Sequence, residues 1–120
     1  MGSIHVDVTL RPAKGGRGAY KARFLVETGA TDSLAPASCL RKIGMRTKGS
    51  RVYEMADGTK HSYAFGLAEI SFMGQVTAGR VIFGPEKVEP ILGVTALESV
   101  GVTIDPARKT LKRLPSVPLK

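Results

Sequence analysis

The alternation of apolar and polar residues along the chain predicts a fold built mainly from β-strands. Residues 4–10, Ile-His-Val-Asp-Val-Thr-Leu, alternate with the period of a half-buried strand. The glycine-rich segment 15–18 predicts a flexible turn, and residues 20–26 predict a returning strand. The Phe24-Leu25-Val26 end of that strand is apolar enough to be buried on both faces. The chain is therefore expected to open with a hairpin.

The middle of the chain predicts one short helical segment and a long hairpin. Helix-compatible residues fill 33–44, where Pro36 delays or shortens the helix. Strand-like residues 51–55 and 60–72 flank the sequence Ala56-Asp57-Gly58-Thr59, whose Asp-Gly pair is typical of a tight hairpin turn. A further strand is expected at 76–83, so the chain to this point predicts an antiparallel meander.

The last third of the chain predicts a second apolar run that ends in glycine. Pro90-Ile91-Leu92-Gly93 precedes a helix-like segment at 94–100, and short strands are expected at 102–104 and 110–114. The run 24–29 and the run 90–93 are weakly similar, since each is an apolar strand ending at glycine. No composition break divides the chain, so we expect one domain over 1–120.

Composition adds limits on the class of protein. A length of 120 residues suits one domain with a real core, and Met1-Gly2-Ser3 looks like an expression leftover while 115–120 form a tail. No apolar run approaches the roughly 18 residues of a membrane span, so a soluble protein without membrane contact is expected. No secretory-type segment opens the chain, and Cys39 is the sole cysteine. Both features favour a cytoplasmic location and argue against a disulfide framework or a cysteine-based metal site.

The net charge of +8 raises the question of nucleic-acid binding. The basic residues are scattered from Arg11 to Arg113, without a periodic stripe and without interleaved aromatic residues. A solvated basic surface is therefore favoured over a specific nucleic-acid site. If nucleic acid did bind, the binding would depend steeply on salt and would give Glu27 no role.

The candidate chemistry lies at Glu27-Thr28-Gly29-Ala30. These residues follow the buried run at 24–26, so a carboxylate lies at the end of a core strand where the backbone must turn. An isolated glutamate at a strand end is usually a solvated surface residue, but the flanking residues favour a site.

The segment 24–33, Phe-Leu-Val-Glu-Thr-Gly-Ala-Thr-Asp-Ser, resembles the apolar strand and Asp-Thr-Gly-Ala loop of retroviral-type (retropepsin-like) aspartic proteases and their small bacterial relatives. Glu27 stands where the family has its catalytic Asp. The run Ile91-Leu92-Gly93 with the helix after it is similar to the family's second apolar-glycine element, and the Asp57-Gly58 hairpin lies between the two elements, where the flap is expected. The order and spacing agree over roughly residues 4–114.

The resemblance implies an all-β fold with one or two short helices, a retropepsin-like half-barrel closed by homodimerisation. It implies an aspartic-type endopeptidase in which Glu27 of each subunit holds the lytic water, without metal or other cofactor. Only one acidic loop of this type occurs in the chain, so the second carboxylate must come from another copy. The implied loop residues are Thr28, Gly29, Ala30 and Asp32, and the implied flap contacts to a peptide or protein substrate are Met55, Ala56, Asp57, Gly58 and Thr59.

Several alternatives stay open. The extra methylene of Glu27 favours a non-catalytic dimeric domain that binds extended peptides by β-augmentation. Asp32 is expected either to contact substrate or to cap the helical segment after it, and Asp57 either to form a turn or to belong to a flap. His5 and His61 are far apart in sequence and predict structural or exposed roles rather than a metal pair. Asp105, before Pro106, predicts a turn.

Overall fold

The computed structural model describes residues 3–119, which contain nine strands and two short helices. Met1, Gly2 and Lys120, on which the expected leftover and tail partly fall, lie outside the described residues. No helix in the described part of the chain is long and apolar enough to span a membrane. In chain order the elements are β1 His5–Pro12, β2 Tyr20–Glu27, β3 Ser33–Pro36, α1 Ala37–Lys42, β4 Gly49–Glu54, β5 Lys60–Phe72, β6 Gln75–Gly84, β7 Ile91–Gly93, α2 Val94–Ser99, β8 Val102–Asp105 and β9 Thr110–Arg113.

Seven strands form one sheet in the order β1-β2-β7-β3-β6-β5-β4. β1 also pairs with β5, from Thr9 opposite Ser71 to Pro12 opposite Ala68, so the sheet curls back on itself. β8 and β9 form a separate two-stranded sheet. The predicted all-β class with two short helices is confirmed.

The predicted antiparallel meander holds for the pairs β1–β2, β4–β5 and β5–β6 but is wrong between β2 and β4, which are not neighbours. β2 runs parallel to β7, and β3 runs parallel to β6. Alternation of apolar residues reports which face of a strand is buried, but carries no information about the partner strand or its direction.

The helix expected within 33–44 is shorter than predicted. Residues Ser33–Pro36 form a buried strand beside Val81–Gly84, and only Ala37–Lys42 are helical. A short apolar run such as 33–36 fits a strand as well as a helix, and its backbone groups are satisfied here by β6.

The core lies between the curved sheet and the two helices. The alternation predicted for β1 and β2 holds, since Val8, Leu10, Phe24 and Val26 are buried. Helix α2 contributes Ala96 and Leu97 to the same cluster, and helix α1 contributes Leu40. The core therefore includes the strand that leads directly into Glu27.

The hairpin of β4 and β5 is the predicted long one. β4 pairs from Gly49 opposite Phe65 to Glu54 opposite Lys60, whereas β6 pairs with β5 only from Phe65 onward. At the tip, the Met55 amide donates to the Thr59 carbonyl at 2.7 Å. The end of the hairpin is consequently two-stranded and projects from the body of the sheet.

Candidate active site

The two apolar runs singled out in the sequence lie side by side. In the parallel pairing of β2 with β7, Leu25 is opposite Ile91, Val26 is opposite Leu92 and Glu27 is opposite Gly93. Phe24 and Val26 are buried, and Glu27 is exposed at the end of its strand. Core packing of β2 thus fixes the point at which the Glu27 side chain leaves the sheet.

The loop after Glu27 is held by backbone hydrogen bonds. The Ala30 amide donates to the Glu27 carbonyl at 3.1 Å, which closes a turn. The first amides of α2 reach across to the same loop: Val94 donates to the Ala30 carbonyl at 2.8 Å and Thr95 donates to the Thr31 carbonyl at 3.2 Å. The Gly29 amide donates to Glu27 Oε1 at 3.3 Å. The glutamate therefore lies on a loop whose shape is set by its own turn and by α2.

Gly93 allows the two elements to approach closely. Its amide donates to the buried Oγ of Ser33 at 3.0 Å. A Cβ on Gly93 would lie 2.6 Å from the carbonyl carbon of Asp32 and 2.7 Å from the carbonyl oxygens of Asp32 and Thr31. Only glycine fits there without displacing the loop backbone.

Asp32 connects this loop to the hairpin. Its side chain is 5% exposed and lies 3.5 Å from Nη1 of Arg51, measured from Oδ2. The same oxygen accepts a hydrogen bond of 2.6 Å from the Tyr53 hydroxyl. Burial, followed by the hydrogen bond to Asp32, raises the pKa of Tyr53 to about 12.

The expectation that Asp32 caps the following helix is wrong. Helix α1 begins after Pro36, and no side chain caps its first turn. The residues directly after Asp32 form β3, and its carboxylate accepts from the Tyr53 hydroxyl instead.

Asp57 and Asp105 are turn residues, as one reading of the sequence predicted. Asp57 Oδ1 accepts from the Thr59 amide at 2.9 Å and from the Thr59 hydroxyl at 2.6 Å. These bonds hold the pKa of the Asp57 carboxyl below its ordinary value. Asp105 Oδ1 accepts from the amides of Ala107 and Arg108 at 3.0 and 3.3 Å.

A cavity of about 570 Å³ lies between the loop after β2 and the hairpin. It brings together seven of the thirteen residues that the sequence assigned to the active-site loop, the flap and the second apolar run. Those that line it are Glu27, Gly29, Ala30, Asp32, Met55, Ala56 and Ile91. The others lie elsewhere: Asp57, Gly58 and Thr59 at the hairpin tip, Leu92 in the core, Gly93 against the Asp32 backbone, and Thr28 on another cavity.

Six lining residues were not anticipated from the sequence. They are Thr31, Leu34, Tyr53, Glu54, Tyr63 and Ile82. The two tyrosines could have been suspected, because residues at alternate positions of a hairpin share one face and aromatic side chains there need a surface to cover. Leu34 and Ile82 gave no such signal, because their pairing across β3 and β6 is parallel and distant in sequence.

Thr28 lies on a different cavity, beside the C-terminal segment. It lines a second cavity of about 770 Å³ together with residues of α2, β8 and the chain after β9, among them Leu97, Leu114 and Val117. Leu114 and Val117 are also exposed to solvent.

The two histidines occupy separate places. His5 Nε2 lies 2.9 Å from a carboxylate oxygen of Glu89, and His61 Nε2 lies 3.3 Å from the Thr59 hydroxyl. Within residues 3–119 there is no group of three or more histidine, cysteine or carboxylate side chains that could hold a metal ion.

Known proteins match the chain in both sequence pattern and fold. The family of gag-polyprotein putative aspartyl proteases matches residues 17–99. The chain belongs to this family. The match spans the Glu27 loop, the hairpin and β7, which are the three elements brought together around the cavity.

Solved structures with the same fold come from viruses and from a protozoan. The EIAV protease in complex with the inhibitor HBY-793 has a TM-score of 0.64 and 17% identity, covering 87% of this chain and 93% of its own. The retroviral protease-like domain of Ddi1 from Leishmania major has a TM-score of 0.59 and 16% identity, covering 97% and 91%. The Simian Foamy Virus (mac) protease has a TM-score of 0.55 and 15% identity, covering 78% and 91%. No curated protein matches the chain.

These comparisons confirm the predicted retropepsin-like fold and the aspartic-protease family. At 15–17% identity the solved structures speak for the fold alone.

Proposed function

We propose that the protein is a homodimeric endopeptidase of the aspartic type, in which Glu27 of each subunit acts on an extended peptide held under the β4–β5 hairpin. The observation that carries the proposal is the position of Glu27. Its exposed carboxylate lies on a loop fixed by α2 and lines the cavity beneath the hairpin. A pair of carboxylates in a cleft that fits an extended peptide supplies both the base and the acid that amide hydrolysis needs.

The reaction uses a water molecule between two facing glutamates that share one proton. The ionised carboxylate takes a proton from the water while the water oxygen bonds to the scissile carbonyl carbon, and the protonated carboxyl donates its proton to the carbonyl oxygen. The tetrahedral intermediate then collapses: the carbon–nitrogen bond breaks, the carboxyl proton passes to the leaving amine, and one hydroxyl of the intermediate gives its proton to the other carboxylate as the product carbonyl forms. The pair ends as it began, with one proton between two carboxylates.

The second glutamate is supplied by a second copy of the chain. The described residues contain one acidic loop of this type, so a two-fold axis beside Glu27 is needed to complete the pair. Apolar side chains that line the same cavity as Thr28 support an interface on that side, since Leu114 and Val117 are exposed. Exposed apolar residues grouped at one surface are typical of a protein contact.

The proposed dimer consists of one domain per chain, over residues 1–120. The described elements share a single hydrophobic cluster, which supports that division. A peptide or protein is the proposed substrate, and neither cofactor nor nucleic acid has a role in the reaction. The lone Cys39 fits the reducing conditions of the cytoplasm, where we place the protein.

A second candidate function is peptide binding without cleavage. Glutamate is one methylene longer than aspartate, which moves each carboxylate by about 1.5 Å, and a misplacement of about 1 Å can cost roughly 10²-fold in rate. Within residues 3–119, β4 also pairs with β5 alone, and an extended peptide could add to its outer edge as a further strand.

A cleavage assay on a mixture of peptides, at acidic and at neutral pH, separates the two functions. The parent protein is compared with Glu27→Gln, which keeps the side-chain length and removes the ionisable group. Glu69→Gln, at an exposed position of β5 outside the cavity, is the matched control. We expect cleavage by the parent and by the control and none by Glu27→Gln. Peptide binding without cleavage by any of the three would establish the second function and reject the first.

A further inference from the structure

The projecting end of the hairpin has little support from the sheet. Residues 50–54 of β4 pair with residues 60–64 of β5, and no third strand from the described part of the chain lies beside either segment. A two-stranded hairpin on its own is marginally stable in water. Contacts from its side chains to the body of the protein must therefore contribute to keeping it in place over the cavity.

Those contacts come from one face of β4. Side chains alternate along a strand, so Arg51 and Tyr53 share a face while Val52, which is 63% exposed, points to the other side. Both residues on the inner face reach the same oxygen of Asp32: the Tyr53 hydroxyl at 2.6 Å and Nη1 of Arg51 at 3.5 Å.

The side chains of Asp32, Arg51 and Tyr53 form a packed group, with the Tyr63 ring beside it. The Arg51 guanidinium lies 5.8 Å from the centre of the Tyr53 ring, and the Tyr63 ring, on the neighbouring strand, lies 6.3 Å from it. The Asp32 side chain is 5% exposed, and a buried carboxylate is costly without partners. Tyr53 and Arg51 are its side-chain partners among the described residues, so moving the hairpin away would leave a buried charge unpaired.

The tip of the hairpin, in contrast, is closed by its own bonds. The Met55 amide donates to Thr59 and the Gly58 amide donates to Met55, while Asp57 accepts from Thr59. None of these bonds joins the tip to the body of the protein. Among the described residues, the side-chain hydrogen bond and ion pair that join the hairpin to the body of the protein are therefore those at Asp32, and not at the tip.

We propose that Asp32 is a positioning residue that holds the β4–β5 hairpin closed over the Glu27 cavity through Tyr53 and Arg51. The three residues together are called the Asp32 clasp. Its consequence for catalysis rests on the proposed peptidase function, but its effect on the hairpin does not. A binding site that exists only in the closed form loses apparent affinity in proportion to the fraction of molecules that are open.

Amide hydrogen exchange of the free protein, resolved along the chain, tests the clasp directly. Tyr53→Phe removes the hydroxyl and keeps the ring, and Asp32→Asn removes the charge. Tyr63→Phe is the matched control, because it removes a hydroxyl from the same hairpin that has no hydrogen-bond partner within residues 3–119. Loss of a hydrogen bond to a charged group should raise exchange over residues 50–64 by about tenfold or more.

The expected pattern is local. Tyr53→Phe and Asp32→Asn accelerate exchange in the hairpin, the double variant is no faster than the faster single variant, and exchange in β8 and β9 is unchanged. Tyr63→Phe exchanges like the parent. Unchanged hairpin exchange in Tyr53→Phe, or an equal increase over the whole chain, would overturn the clasp.

Steady-state kinetics give a second reading on a peptide that the parent cleaves. Tyr53→Phe should raise KM by about tenfold and change kcat by less than about threefold, because the clasp sets the closed fraction and not the chemistry. A fall in kcat with unchanged KM would contradict a positioning role. If the parent cleaves no peptide, the proposed peptidase function fails while the exchange experiment still decides the clasp.

Discussion

Glu27 lies directly opposite Gly93 in the parallel ladder of β2 and β7. The pairing places the two apolar runs of the chain side by side. The first run leads to Glu27, the candidate catalytic residue. The second run ends at Gly93, where a Cβ would lie within 2.7 Å of the backbone of Thr31 and Asp32, in the loop after Glu27. The shape of the site thus depends on a residue without a side chain.

Gly93→Ala should destabilise the protein. The new methyl group would overlap the backbone of Asp32, and overpacking of this kind costs roughly 1–3 kcal/mol of unfolding free energy. Gly79→Ala is the control, because its nearest neighbour would be 3.9 Å away. Chemical denaturation of both variants measures the difference. Equal stability of the two would show that the loop can shift at little cost.

Ser33→Ala should also destabilise the fold. The Ser33 hydroxyl accepts the Gly93 amide in a buried place, and an unpaired buried amide costs roughly 1–3 kcal/mol. Ser62→Ala, at an exposed position of β5, should leave the unfolding free energy within about 0.5 kcal/mol of the parent. Thermal and denaturant unfolding measure the stability of both variants. If Ser33→Ala were as stable as the parent, the hydrogen bond between Ser33 and Gly93 would contribute nothing measurable to stability.

The local elements were largely predictable from the sequence. β5 spans the predicted residues 60–72, because its alternation is long and Asp57-Gly58 marks the turn before it. Helix α2 and the strands β8 and β9 also lie within one or two residues of their predicted bounds. Turn chemistry and periodicity are local signals, so a single sequence contains them.

The pairing of distant elements could not be predicted in the same way. Nothing in the alternation of β2 or β3 specifies a parallel partner, and the strand at Ser33–Pro36 depends on pairing with β6. The bond between Asp32 and Tyr53 joins residues 21 positions apart on different elements. The Glu27 loop was found because its residues resemble a family motif, whereas the wall of the cavity depends on how the strands pair.

Tyr53 should ionise late in an alkaline titration. Its pKa is raised from 10.0 to about 12, first by burial and then by the hydrogen bond to Asp32. The pKa of Tyr53 in the folded protein lies above its ordinary value, so the neutral phenol stabilises the fold. This stabilisation is fully present below about pH 10 and is lost as the pH rises toward about 12.

Asp32→Asn should lower the pKa of Tyr53 but leave it above the ordinary value, since burial still favours the neutral phenol. NMR with labelled tyrosine follows the titration of each ring. A Tyr53 that titrates identically in the parent and in Asp32→Asn would show that the hydrogen bond is absent in solution.

Glu27→Asp should raise turnover by roughly tenfold or more if the longer side chain misplaces the carboxylates, given the steep dependence of rate on position. The comparison requires equal dimer formation, which sedimentation at micromolar concentration checks. A Glu27→Asp variant no faster than the parent would mean that the dimer has adapted to glutamate.

The most direct test of the shared site is a subunit-mixing experiment. The parent and Glu27→Gln are combined in varying proportions at constant total concentration, allowed to exchange subunits, and assayed for peptide cleavage. If each site needs Glu27 from both subunits, activity falls with the square of the parent fraction. Activity in direct proportion to the parent fraction would contradict an active site shared between two subunits. No activity in the undiluted parent would contradict the proposed peptidase function.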